Sequence, residues 1–285
     1  MRTELSEILE NPKEATERRF CWDYWHVPEQ YTFLRTPAWE FFSEALYKKF
    51  EEELTTYGRK KFGCQNITPP WLSCYVEGCT QALHADVPHG PWAYVFSLTE
   101  WQTRIFTGGE TKLLKDSTLD YWRNFESMDG VNLPDLVETI QPEMNQLLVF
   151  DPRVPHGVNE VRGVKDPLKG RLVIHGWFTD PSPVVEGGLE GSEEQVLEPI
   201  NDMLTKLDSV FEEFESVHGT LVLELSCTPV GSVDVVDVLT NTLRDLSWTG
   251  AEEKVVTKFV EGAKKIKLPA SPSPSRIVLP ILFRF

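Results

Sequence analysis

The sequence predicts a mainly β protein. An antiparallel sandwich or barrel should occupy residues 67–180, with N-terminal helices before it and a small α/β C-terminal module after it. Three observations predict this. Short runs rich in β-branched and aromatic residues, "WLSCYV", "WAYVFSLT", "NQLLVFD" and "RLVIHGWF", recur between Gly, Pro and Asp punctuation. An acidic stretch, "SPVVEGGLEGSEEQVLEP", contains no basic residue and has a linker's composition. Beyond it, apolar residues return at helical spacing before a last apolar strand, "RIVLPILFRF".

The elements follow in order. The first stretch, "MRTELSEILENPKEATERRF", is polar and mixed in charge, unlike a secretory leader. Thr36-Pro37 reads as a helix start with proline at the first helical position. Trp39, Phe42, Leu46, Phe50 and Leu54 then recur at steps of three or four, and Gly58 is the expected stop. The β-rich runs come next. They are interrupted by "STLDYWRNFESMDGVNLPDL", which reads as an insertion over one rim. After the acidic stretch, Ile200, Met203, Leu204, Leu207, Phe211 and Phe214 mark one side of a helix that closes at Gly219. "TLVLELSC" reads as a strand, and "VVDVLTNTLRDL" and "EEKVVTKFVEGAKKI" as helices. The expected divisions are a domain over 1–183, an acidic linker over 184–199 and the small module over 200–285, for which protein contacts are the expected role.

With 285 residues and 41% hydrophobic content, the chain can bury a sizeable core. A formal charge of −16 argues against a duplex nucleic-acid partner, since phosphates need a basic footprint. No apolar run is long enough to span a bilayer, so no membrane partner is expected. Five cysteines, an odd number in a large chain, read as reduced thiols and point to the cytoplasm.

The chemistry gathers around "LHADVPHG". On a strand, residues i and i+2 point the same way, so His84 and Asp86 can offer an imidazole nitrogen and a carboxylate oxygen to one ion. "LLVFDPRVPHGVNEV" supplies His156 after a distant strand. Two histidines and one carboxylate on one face form the triad of non-heme Fe(II) oxygenases, with positions left open. In "GRLVIHGWF", Arg171, Val173, His175 and Trp177 share one face. An arginine beside such a site suits a dicarboxylate co-substrate through a two-pronged, charge-assisted pair. Arg162 is a rival anchor. His175 and Trp177 are candidates for substrate or supporting contacts, though packing suits His175 better. His89 reads as a rim residue, His26 as packing or a lid, and Trp92 and Tyr94 as core.

The order of H-x-D, then Gly-Gly-Glu-Thr, then His, then Arg resembles the Fe(II)/2-oxoglutarate dioxygenases of the prolyl 4-hydroxylase superfamily. "TGGETKL" matches that family's hairpin between the two ligand regions. "HGVNEVRGVKDPLKGRLVIHGWFTDPSP" is most similar to the ribosomal-protein prolyl hydroxylases of the termination-and-polyadenylation type. The resemblance covers roughly residues 65–182, and "VKDPLK" widens the gap between His156 and Arg171. It implies a double-stranded β-helix of the jelly-roll or cupin-like kind. It implies that His84, Asp86 and His156 hold Fe(II), that Arg171 grips the distal carboxylate of 2-oxoglutarate, and that Tyr75 adds a hydroxyl contact to it. The implied reaction uses O2, with ascorbate as a further cofactor. It hydroxylates an aliphatic C–H, a prolyl residue of a protein or peptide being favoured, and releases succinate and CO2. Three alternatives stand beside this reading. They are an oxygenase acting on a free amino acid or small specialised metabolite, a catalytically silent cupin-like binding module, and a zinc protein using Cys74, Cys79 and His84.

Overall fold

The structure, a computed structural model, describes residues 1–11, 18, 21–86, 89–118, 130–247 and 249–283. Most of the expected rim insertion, residues 119–129, lies outside the described residues. The elements in chain order are α1 (Arg2–Glu10), β1 (Asp23–Val27), β2 (Tyr31–Pro37), α2 (Ala38–Phe41), α3 (Glu44–Phe62), β3 (Cys64–Ile67), β4 (Trp71–Tyr75), β5 (Thr80–His84), β6 (Trp92–Ser97), β7 (Thr111–Leu114), α4 (Leu133–Leu136), β8 (Val137–Ile140), β9 (Leu147–Phe150), β10 (His156–Val158) and β11 (Arg171–Pro181). After these come β12 (Val184–Gly187), α5 (Glu193–Lys206), α6 (Asp208–Glu213), β13 (Val217–Cys227), β14 (Val233–Asn241), β15 (Arg244–Asp245), α7 (Ala251–Ala263) and β16 (Ser275–Phe283). They form two compact units: Met1–Glu52 with Ile67–Phe178, and Glu53–Asn66 with Thr179–Phe285.

The first unit is a curled antiparallel sheet in the order β8-β7-β10-β5-β2-β4-β11-β6-β9, with β1 added to β2. Strands distant in sequence lie side by side, as in a double-stranded β-helix: β10 pairs with β5, and β11 with β4 and β6. The central strands alternate. On β11, Leu172 and Ile174 are fully buried against Leu5, Phe41, Phe42 and Leu72, which brings α1 and α2 onto the outer wall. Burying each such side chain stabilises by about 1.5–3 kcal/mol. The intervening residues Arg171, Val173, His175 and Trp177 face the inside.

One helix differs from the sequence reading. The stripe from Trp39 to Leu54 predicts a single helix, but Phe42 is extended (φ −89°, ψ 156°) and divides it into α2 and α3. The cause lies far along the chain: the Glu4 carboxylate accepts from Ser43 N (2.6 Å) and Ser43 Oγ (3.0 Å). Ser43 thereby opens a new helix, and both Phe41 and Phe42 enter the core. Gly58 is a buried helical position rather than a stop. The chain turns at Gly63, in the left-handed region at φ 64°.

The second unit is a five-stranded antiparallel sheet, β12-β16-β13-β14 with β15 on β13, and α5 and α7 contribute to its core. Residues 184–199, whose composition suggests a linker, supply β12 and the first turns of α5, and Val184 and Val185 are buried there. The stretch "VVDVLTNTLRDL", expected as a helix, forms β14 and leads into β15 instead. Its β-branched residues are stiff at χ1 and favour a pleated surface, and β13 offers a full ladder of partners. No helix among the described residues is long and apolar enough to cross a membrane.

Candidate metal centre

The β10–β5 pairing sets His156 directly opposite His84. Asp86 follows β5 by two residues, and its backbone N–H donates to Pro152 O at 2.9 Å, which ties this loop to the approach of β10. The three side chains meet: one ligand atom from each of His84, Asp86 and His156 lies within 4.8 Å of the others. His84 Nε2 is 3.6 Å from Asp86 Oδ1, and His156 Nε2 is 3.3 Å from Oδ2. Among the described residues this is the one group of three or more His, Cys, Asp and Glu side chains so arranged.

The opposite nitrogens fix the rings. His84 Nδ1 lies 2.9 Å from Ala82 O, and His156 Nδ1 2.9 Å from Val154 O. A carbonyl only accepts, so each Nδ1 donates, and in the neutral tautomer each Nε2 turns a bare lone pair toward the Asp86 carboxylate. Three converging lone-pair donors repel one another unless a cation stands between them. Burial opposes ionisation of Asp86. When the rings are protonated instead, the hydrogen bond from His156 and the charges of His156, His84 and His89 outweigh it and hold the carboxyl below its ordinary value. Two imidazoles and a carboxylate on one face suit Fe(II) and leave the other face open.

The cluster opens into a cavity of about 600 Å3. Arg171, Tyr75, His175 and Trp177 all line it. Arg171 is 1% exposed, and its Nη2 donates to Thr111 Oγ1 at 3.1 Å. Its Nε and Nη1 have no hydrogen-bond partner among the described residues. Burial lowers the proton affinity of the guanidinium, and Tyr75 opposes that shift. A buried, charged donor with unused Nε–H and Nη1–H groups calls for an anion, and a carboxylate supplies one. Tyr75 packs under the guanidinium, with Arg171 Cζ 4.6 Å from its ring centroid. Burial pushes the Tyr75 hydroxyl up to about 12, against the pull of Arg171. His175 Nε2 lies 2.8 Å from Ser73 Oγ. Burial, then the charge of Arg171, push His175 down to about 4, so it is neutral at physiological pH.

The Gly-Gly pair before β7 lets the chain pack closely beside the cavity wall. A Cβ at Gly108 would stand 1.8 Å from Glu160 O, and one at Gly109 3.0 Å from Phe106 Cε2; both glycines have positive φ. Other residues lie elsewhere. Arg162 is absent from the cavity lining; its side chain is 68% exposed and pairs with Glu160 at 2.6 Å. His89 lines the cavity with its ring 4.5 Å from that of Trp177. His26 is exposed on β1 and bonds Thr32 Oγ1. Cys74 and Cys79 are not gathered with His84, because the alternation that turns Tyr75 inward turns Cys74 outward into the core. Phe33, Arg35 and Thr68 also line the cavity, and no motif in the sequence marks them. Tyr31, Phe33 and Arg35 alternate along β2, which runs to Pro37 before the helix opens at Ala38.

Residues 70–179 match the family model described as the 2OG-Fe(II) oxygenase superfamily, whose members use Fe(II), 2-oxoglutarate and O2. That span holds all three residues of the cluster and Arg171. No curated protein sequence matches the chain. Among solved structures, a prolyl-4-hydroxylase from Pseudomonas putida is similar at 20% identity over 55% of this chain and 76% of its own, with a TM-score of 0.37. A prolyl hydroxylase from Trichoplax adhaerens, in complex with a hypoxia inducible factor oxygen degradation domain peptide fragment, is similar at 17% identity over 63% and 78%, with a TM-score of 0.41. HygX from Streptomyces hygroscopicus, with nickel and 2-oxoglutarate bound, is similar at 10% identity over 62% and 78%, with a TM-score of 0.38.

Proposed function

We propose that the first unit forms an Fe(II)- and 2-oxoglutarate-dependent dioxygenase that hydroxylates an aliphatic C–H, with a prolyl residue of a protein or peptide as the favoured substrate. The observation that carries this reading is the pairing, in one cavity, of the His84–Asp86–His156 cluster with a buried arginine that has two unused donors.

Each residue then has a task. His84, Asp86 and His156 hold the iron on one face, their rings fixed by the Ala82 and Val154 carbonyls. Arg171, steadied by Thr111 and the Tyr75 ring, binds the distal carboxylate of 2-oxoglutarate. Tyr75 stays protonated and can donate to the same co-substrate. Val173, Val95 and Ala93 present apolar wall that keeps water from the reacting region. When bound, iron and 2-oxoglutarate supply the O2 activation that puts oxygen into a C–H bond, with succinate and CO2 released.

The test is succinate formation from 2-oxoglutarate by purified protein with Fe(II) and O2. Wild-type protein should form succinate, and His84→Ala and Asp86→Ala should not. A catalytically silent binding module would bind metal and form no succinate at any protein concentration.

A further inference from the structure

The cavity wall carries a second arginine that the oxygenase reading leaves unused. Tyr31, Phe33 and Arg35 take alternate positions on β2 and all line the cavity. Arg35 is the register partner of Ser73 on β4, which partners Val173 on β11 and bonds His175. The row beside it runs from Arg171 through Tyr75 to the stacked ring of Phe33. The backbones of the two arginines are therefore about 10 Å apart across two strand spacings and about 7 Å apart along the strands. They serve different parts of the cavity.

Arg35 is held in a sleeve of indoles. Its Cζ lies 3.6 Å from the Trp25 ring centroid and 4.2 Å from that of Trp71. Contact with two indoles holds the guanidinium in place while its N–H groups stay available to a ligand. Its Nε is buried without a hydrogen-bond partner among the described residues. Burial lowers the proton affinity of this guanidinium, while the charge of Asp23, exposed opposite it on β1, raises it. The charge balance points the same way. In the loaded site the iron dication, the 2-oxoglutarate dianion, Asp86 and Arg171 sum to neutrality, and His175 is uncharged. Arg35 then adds one positive charge to a largely aromatic wall, while Asp23, its register partner, is exposed and does not line the cavity.

We infer that the substrate carries a carboxylate and that Arg35, in its Trp25–Trp71 sleeve, is the specificity-determining residue that binds it. This rests on the oxygenase reading of the cavity. A purely structural role, in which Arg35 only fastens β1 to the sheet, gives no preference between an acid and its neutral isostere.

The test uses the full chain loaded with Mn(II) and saturating 2-oxoglutarate, so that Arg171 is occupied. Three acid and amide pairs are titrated by calorimetry and tryptophan fluorescence: N-acetylproline with N-acetylprolinamide, acetyl-Pro-Asp-amide with acetyl-Pro-Asn-amide, and 3-phenylpropanoate with its amide. At least one acid should bind about tenfold or more tightly than its partner, the scale of one charge-assisted hydrogen bond. The pair that shows the preference tells a free carboxylate from a side-chain one. Arg35→Gln should abolish the preference and leave 2-oxoglutarate affinity unchanged. If Arg35→Gln does not fold, Trp25→Leu, which opens the sleeve, should lower the preference at least threefold. No preference in any pair, or a preference that survives these variants, overturns the inference. Failure of 2-oxoglutarate to bind, read before any probe is added, would instead remove the oxygenase reading.

Discussion

Replacing Arg171 with methionine tests the anchor assignment while keeping an apolar stem over the Tyr75 ring. Arg171 is 1% exposed, and its Nε and Nη1 are unused. A bound carboxylate would accept from this guanidinium, and removing it leaves that carboxylate buried and unpaired. Truncating one partner of such a pair costs about 2–5 kcal/mol. At about 1.4 kcal/mol per tenfold, 2-oxoglutarate affinity should fall roughly 30- to 4,000-fold. Arg162→Ala is the control, since that side chain is 68% exposed and its ion pair with Glu160 is a surface one. Exposed pairs are weak, and because this one lies off the cavity its loss should shift affinity by no more than about twofold. Calorimetric titration of 2-oxoglutarate into Mn(II)-loaded protein reads both variants. Equal effects from the two, or an Arg171→Met protein within threefold of wild type, would refute the reasoning.

Other predictions follow from single positions. Gly108→Ala places a Cβ 1.8 Å from Glu160 O at a φ of 76°, so it should destabilise the protein by about 2 kcal/mol or more in urea titrations. Cys74→Ser with Cys79→Ser should leave metal content unchanged by elemental analysis, and loss of metal would revive the zinc reading. The Asp245 carboxylate accepts from Ser216, Ser247 and Thr249 hydroxyls and from backbone N–H groups of Ser247 and Thr249. These donors outweigh burial and hold its carboxyl well below the ordinary carboxylate range. Its stabilising contribution is therefore full above the unfolded-state value of about 4 and is lost as pH falls below it. Asp245→Asn should be clearly less stable than wild type at pH 7, with the gap narrowing by pH 3 in chemical denaturation. A gap that widens on acidification would contradict the assignment.

Much of the site was legible because it is written in short-range patterns. Period-two alternation put Arg171, His175 and Trp177 on one face, and the i, i+2 step joined His84 to Asp86. His156 required one long-range pairing, β10 on β5, for which the apolar run at Leu147–Phe150 and the Pro-His-Gly turn were guides. What escaped the sequence depended on partners far away. The break at Phe42 is set by Glu4, which bonds Ser43 thirty-nine residues later. The misread β14 has valine and leucine spacings that suit a helix as well as a strand until β13 supplies its ladder. Arg35 acquires its setting only when β1 brings Trp25 and β4 brings Trp71 against the guanidinium.

The central claim is that one cation joins His84, Asp86 and His156. Anomalous diffraction at the iron edge, from crystals grown anaerobically with Fe(II), tests it most directly. The account predicts a single strong peak about 2.1 Å from both histidine Nε2 atoms and from one Asp86 oxygen. A peak anywhere else, or none at full Fe(II) saturation, would contradict it.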